Sequence, residues 1–138
     1  MRKFLRRVLI VCLAIAAVPA ALFASLSLWF WYKTAEVESF YRENRLLGEL
    51  RAVQQDSTND SALAREALLT MVPLGTSREA AIAVLRREKL GCQGMAGPIT
   101  CGTMSPNVLG YKQWMVSLEF DTNEQLREAR VAIWNIFL

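Results

Sequence analysis

The chain contains no histidine. That removes Ser-His-Asp and Cys-His nucleophile pairs, imidazole metal sites and the usual general base near neutral pH. Phosphate-cradling loops of the G-x-x-x-x-G-K or G-x-G-x-x-G type are missing as well. There are three cysteines, Cys12, Cys92 and Cys101, and no C-x-x-C spacing, so the lowered thiol pKa of a redox motif has no basis here. The acid–base couples left are carboxylate pairs such as Glu36/Glu38 and Glu88/Glu119, and carboxylates at these densities ordinarily form solvated faces. The composition argues against an enzyme and implies no metal or cofactor.

Charge is missing from one long stretch. Positions 8–32 form 25 consecutive uncharged residues, preceded by Arg2, Lys3, Arg6 and Arg7 and closed by Trp29, Phe30, Trp31 and Tyr32. As a helix this run is about 37 Å long at ~1.5 Å per residue, enough to cross a hydrocarbon core of about 30 Å with some tilt. Cations flanking a first span stay on the cytoplasmic side, so the N-terminus is expected inside. Trp29, Trp31 and Tyr32 then mark the outer membrane–water interface, because an indole or phenol ring pairs an apolar body with a polar tip.

A cleaved signal peptide is the competing reading, with small residues at Val18-Pro19-Ala20 or Leu22-Phe23-Ala24 available to a peptidase. Its apolar region is usually only ~7–15 residues, and cutting there leaves an N-terminus rich in Leu, Trp and Phe. Cys12 follows Val11 rather than a small residue, which does not make a lipidation site. Within the span it reads as a small apolar side chain.

The net charge of +3 and pI near 9 do not indicate nucleic acid. Four of the 16 basic residues precede position 8, which leaves 12 against 13 acidic residues from Lys33 onward, a net of −1. A near-neutral outer region offers phosphate backbones no electrostatic footprint.

Three segments follow: 1–32 as basic start and anchor, 33–60 as stalk helix and polar connector, and 61–138 as a small domain. Residues 34–54 place Val37, Phe40, Tyr41, Leu47, Leu50 and Val53 at three- and four-residue steps, an amphipathic helix that either packs on its own domain or self-associates into a homo-oligomer. Asn44 and Arg51 fall in its heptad seam, against a long coiled coil. Residues 54–61 are polar and read as a connector. A second helix is expected over 59–69, ended by Pro73. In Leu74-Gly75-Thr76-Ser77-Arg78-Glu79, Thr76 is placed to cap a third helix to about Lys89, with Glu79 reaching back to it. Ala80, Ala81, Val84 and Leu85 supply that helix's apolar stripe.

Beyond Gly91 the period changes to two. Trp114, Val116, Leu118 and Phe120 alternate with Met115, Ser117 and Glu119 over 112–120, a half-buried strand. Residues 97–102 form a shorter strand, 105–110 a loop, and Leu126 with 130–137 a returning strand. The expected fold is α+β: a transmembrane helix, then helices packed on one face of a three-stranded antiparallel sheet. Ala81, Val84 and Leu85 should meet Trp114, Val116, Leu118 and Phe120. Cys92 and Cys101 lie in a compartment that permits disulfides, and a bridge over about ten residues is worth roughly 2–3 kcal/mol by the chain-entropy relation.

The order of two helices and a three-stranded antiparallel sheet, the Leu74-Gly75-Thr76-Ser77-Arg78-Glu79-Ala80 helix start, and a strand 114–121 that ends Phe-Asp before a turn together resemble the small periplasmic domains of the SmpA/OmlA (BamE-like) type over about 61–138. The chain carries a membrane span where those domains have a lipobox cysteine. The resemblance implies a compact α+β binding module without catalysis, and the expected partners are the lipid bilayer and another envelope protein. The expectation is thus a bacterial inner-membrane protein with a periplasmic C-terminal domain, the alternative being a released periplasmic or secreted binder or inhibitor.

Overall fold

The computed structural model describes residues 1–94 and 97–137, the side chains of 2–5, 7–9 and 13 excepted; those of Arg2, Lys3 and Arg7 in the basic start thus lie outside the described set. The elements are α1 (Arg2–Glu43), α2 (Arg45–Val53), α3 (Ala62–Met71) and α4 (Arg78–Arg87), then β1 (Gly91–Gln93), β2 (Ile99–Asn107), β3 (Gly110–Phe120) and β4 (Leu126–Phe137). The chain divides into two compact units, Met1–Ala35 and Glu36–Leu138. Apart from Met1 the first lies within α1, a helix long and apolar enough to cross a membrane or to serve as a signal sequence.

The second unit is α+β. Its sheet has four strands rather than three, all antiparallel in the order β1-β2-β3-β4. The added strand is β1, three residues set against β2 with Cys92 opposite Cys101. β2 begins at Ile99 and continues through the segment expected as a loop, Pro106 included, so that Asn107 pairs with Gly110 across a two-residue turn. At Gly110 φ is 151°, and a Cβ there would strike the Ile136 carbonyl oxygen, so only glycine lets β3 leave the turn this close to β4.

The segment expected as a stalk belongs to the core. α1 ends at Glu43 because Asn44 leaves helical geometry (φ −118°, ψ 88°), its side-chain amide donating to the Phe40 carbonyl at 2.7 Å. α2 then runs back along the end of α1. Gly48 sits so close to Tyr41 that an added Cβ would be 3.0 Å from its carbonyl oxygen, and Arg51 returns to Glu38 in an ion pair of 3.0 Å. The α2 N-terminus is capped from outside, the Leu46 N–H donating to the Glu88 carboxylate at 3.0 Å.

One apolar cluster joins Val37 and Tyr41 with Leu46, Leu47 and Leu50 of α2, Ala64 and Leu68 of α3, Ala81 and Leu85 of α4, and one face of the sheet. That face carries Trp114, Val116, Leu118, Val131 and Ile133, all fully buried. Val84 and Phe120, expected in the core, are only partly buried at its margin, because α4 turns Ala81 and Leu85 inward and a register shift at Glu119/Phe120 ends the regular alternation. In α3 the inward positions are Ala64 and Leu68, with Ser61 as the N-cap, its hydroxyl accepting from the Ala64 N–H at 3.1 Å.

Candidate functional site

Among the described residues three surfaces stand out: the apolar helix, the junction of α1 with the sheet, and the sheet face that the helices leave open. Trp29, Phe30, Trp31 and Tyr32 are exposed on α1, as are the larger apolar residues described before them, and Cys12 is a free, exposed thiol. Nothing in the first unit covers this surface.

The junction is a buried polar knot. Ser105 on β2 faces Lys112 on β3, and its hydroxyl donates to the Lys112 carbonyl at 3.2 Å while accepting from Trp114 Nε1 at 2.9 Å. The Ser105 proton is then committed, so the Tyr41 hydroxyl, 2.6 Å away, is the donor to Ser105. Lys112 Nζ donates to the Gln55 carbonyl at 2.8 Å and lies 5.6 Å from the Trp114 ring centre, while the Arg51 guanidinium stacks on the Tyr41 ring at 4.5 Å. Burial and, secondarily, the nearby Arg51 hold the Lys112 pKa below the ordinary lysine value, with Asp56 opposing them. The Tyr41, Ser105 and Trp114 protons are each used in a hydrogen bond, and Ser105 is sealed from solvent, so the knot fastens α1 and α2 to the sheet rather than presenting a nucleophile. Tyr41, Ser105 and Lys112 were not expected as a group. The available signal was parity: Lys112 holds an inward position of β3, where a polar side chain must find partners.

The α4 start differs from its expected form. Ser77, not Thr76, is the N-cap, accepting from the Ala80 N–H at 3.4 Å, and the Thr76 hydroxyl instead donates to the Pro73 carbonyl at 2.6 Å. With the cap moved by one residue, Glu79 loses the spacing of a capping box and remains as a first-turn acid favoured by the helix dipole. Thr76 is taken by the sheet, its carbonyl accepting from the Leu126 N–H at 2.8 Å. Arg78 clamps the turns here: it pairs with Glu124 at 2.7 Å, donates to the Gly97 carbonyl at 3.0 Å and stacks on Phe120 at 4.7 Å. The carboxylates of Glu88 and Glu119 are not brought together, since Glu88 caps α2 on the covered side and Glu119 lies on the open face. Glu38 is engaged by Arg51. Among the described residues no group of three acidic or cysteine side chains is placed to hold a metal ion.

Register fixes the open face. Gly102, Met115 and Ala132 form one row across β2, β3 and β4, flanked by Met104, Gln113 and Trp134 on one side and by Thr100, Ser117 and Arg130 on the other. Gly91 opposes Gly102, and the side chains missing from this pair leave a trough of about 460 Å³ walled by Gln93, Thr100, Met104 and Met115. Cys92 and Cys101 are disulfide-bonded with Cα atoms 3.9 Å apart, so the expected bridge joins the paired strands β1 and β2.

The β4 edge of the sheet is covered. Thr58 exchanges two 2.8 Å hydrogen bonds with Ile133, Ser61 N–H donates to the Val131 carbonyl, and Asn135 N–H donates to the Ser57 hydroxyl, so the polar connector is a strap along β4. Gly75 and Thr76 bond Leu126 at the other end. At the opposite edge β1 is short, and Pro106 presents no N–H where β2 runs on beyond it. No family model, curated protein or solved structure matches the chain.

Proposed function

We propose that the protein is a single-pass, membrane-anchored, non-catalytic binding or scaffold protein of a bacterial envelope, with its N-terminus cytoplasmic and its α+β unit on the far side of the inner membrane. The observation that carries this reading is the apolar surface of α1, uncovered by protein from Ile10 onward and ending in Trp29, Trp31 and Tyr32. A soluble chain would bury such a surface; a bilayer does so without protein. The basic residues before it set the direction.

Binding rather than catalysis is supported by the absence of histidine and by a junction whose buried hydroxyls and indole N–H are engaged with one another and with backbone. With β4 strapped and the opposite edge short and interrupted by Pro106, the second unit offers another envelope protein its open face, where the Gly91/Gly102 trough can take a side chain, in place of the strand addition that a long bare edge would invite. The likeness to SmpA/OmlA (BamE-like) domains belongs to this proposal and rests on helices preceding an antiparallel meander.

A reporter active only outside the cytoplasm, fused after Leu138, tests the topology: activity is expected, and activity of a cytoplasmic reporter alone overturns it. The mass of the mature chain tests the released form, because loss of the first 20 or 24 residues would make the protein a free periplasmic or secreted binder.

A further inference from the structure

The second unit has one apolar end. Leu109 in the β2–β3 turn is 59% exposed, Tyr111 46% and Phe137, opposite Gly110, 68%. Tight two-residue turns favour Asn and Gly, which tolerate positive φ and water; Val108-Leu109 makes this one with a large aliphatic side chain in solvent. Residues 99–111 and 131–137 contain no charge, whereas Glu119, Asp121, Glu124 and Glu128 all lie at the far end of the sheet. The Glu119/Glu128 pair is nine residues from the Gly110/Phe137 pair, about 30 Å at ~3.3 Å per residue.

Three contacts within this unit put the apolar end where α1 enters it. Tyr41 meets Ser105, Arg51 on the returning α2 meets Glu38, and Lys112 meets Gln55 just past α2. Val37, one turn before Tyr41, is already buried. Only four residues separate Tyr32 from Val37, and the five steps between them reach at most about 18 Å in any conformation. Chain connectivity alone therefore keeps the entrance to the unit within that reach of the interface that Tyr32 marks.

We propose that this tip, Leu109, Tyr111 and Phe137, inserts into the headgroup region of the bilayer that α1 crosses, giving the domain a second membrane contact and a fixed orientation. The inference rests on the membrane-anchored reading. Leucine and aromatic side chains are the composition that interfacial segments use, and they penetrate about 5–10 Å. An orientation with the tip down turns the trough sideways along the membrane plane, toward neighbours in the same bilayer.

The test uses the full chain in phosphatidylglycerol-containing vesicles, with Cys12→Ala to remove the free thiol and an environment-sensitive dye on Leu109→Cys. Ser25→Cys in the anchor and Asn123→Cys at the far turn are the references, and Tyr111→Cys repeats the measurement should Leu109→Cys disturb the turn. Nitroxide-bearing lipid is expected to quench the dye at Leu109 and Ser25 several-fold more than at Asn123, with aqueous iodide giving the reverse order. Iodide quenching at Leu109 equal to that at Asn123, with Ser25 still quenched from the lipid, overturns the tip contact alone. Lipid quenching at neither Ser25 nor Leu109 overturns the anchor and the tip together. Shielding of Leu109 from both quenchers means that protein, a second copy included, covers the tip, and overturns the proposal.

Discussion

Trp31 on α1 is 72% exposed and Trp114 on β3 is fully buried, in one chain whose apolar content is high in both places. The difference lies in what receives the polar N–H. Trp114 donates to Ser105 inside a packed core, which lets the whole indole leave solvent; the exposed side chains of 29–32 lie on a helix with no second protein layer. A tryptophan that a fold buries comes with a built partner, and one that a fold leaves bare waits for another solvent.

The largest effect that would break this contrast is at Trp114. Trp114→Ala should destabilise the second unit by roughly 3–5 kcal/mol, read as the loss of its thermal transition, whereas Trp31→Ala should leave that transition unmoved. An unchanged midpoint in Trp114→Ala would reject the core assignment. Next, reduction of the Cys92–Cys101 bridge should lower stability by roughly 2–3 kcal/mol, and before reduction an alkylating agent should label Cys12 but neither Cys92 nor Cys101. Free alkylation of both in untreated protein would contradict the bridge.

Ser105→Ala sharpens the contrast by removing only the partner. Tyr41 and Trp114 keep their buried donors without an acceptor, and denaturant unfolding should show a loss of about 1–3 kcal/mol. If the midpoint holds, the knot is not what fastens α1 to the sheet. The smallest effect is at Lys112. Its folded pKa is lowered, so near neutral pH the folded state carries a charge it disfavours, and the unfolded chain binds the proton more firmly between the lowered pKa and about 10.5. Wild-type stability relative to Lys112→Met should therefore rise as pH climbs through that window; a constant or falling difference would refute the linkage.

What the sequence made legible was whatever repeats. The alternation at Trp114, Val116 and Leu118 identified β3 and its inward face, and the uncharged run at 8–32 identified the apolar helix. Three residues of β1 are too few to show a period, and only Cys92 opposite Cys101 betrays their pairing. The break at Asn44 is hidden because Leu47 and Leu50 continue the spacing of Val37 and Tyr41 through it, although the chain has reversed. The strap at Thr58 is made by backbone groups, which leave no trace in side-chain type. The same holds for the site: Trp29, Trp31 and Tyr32 stand out by composition, but the trough exists only because Gly91 and Gly102 meet across two strands.

The strap and Pro106 acquire another meaning if, as proposed, the chain is held in the plane of a membrane. Proteins held in one membrane collide by lateral diffusion at far higher local concentration than the same number of molecules dispersed in solution. A bare β4 twelve residues long would under those conditions zip onto its neighbour's, and the sheet would grow sideways into an aggregate. With Thr58 and Ser61 occupying β4, and Pro106 denying β2 a donor, copies of this domain can be packed densely on a surface and still meet as separate molecules.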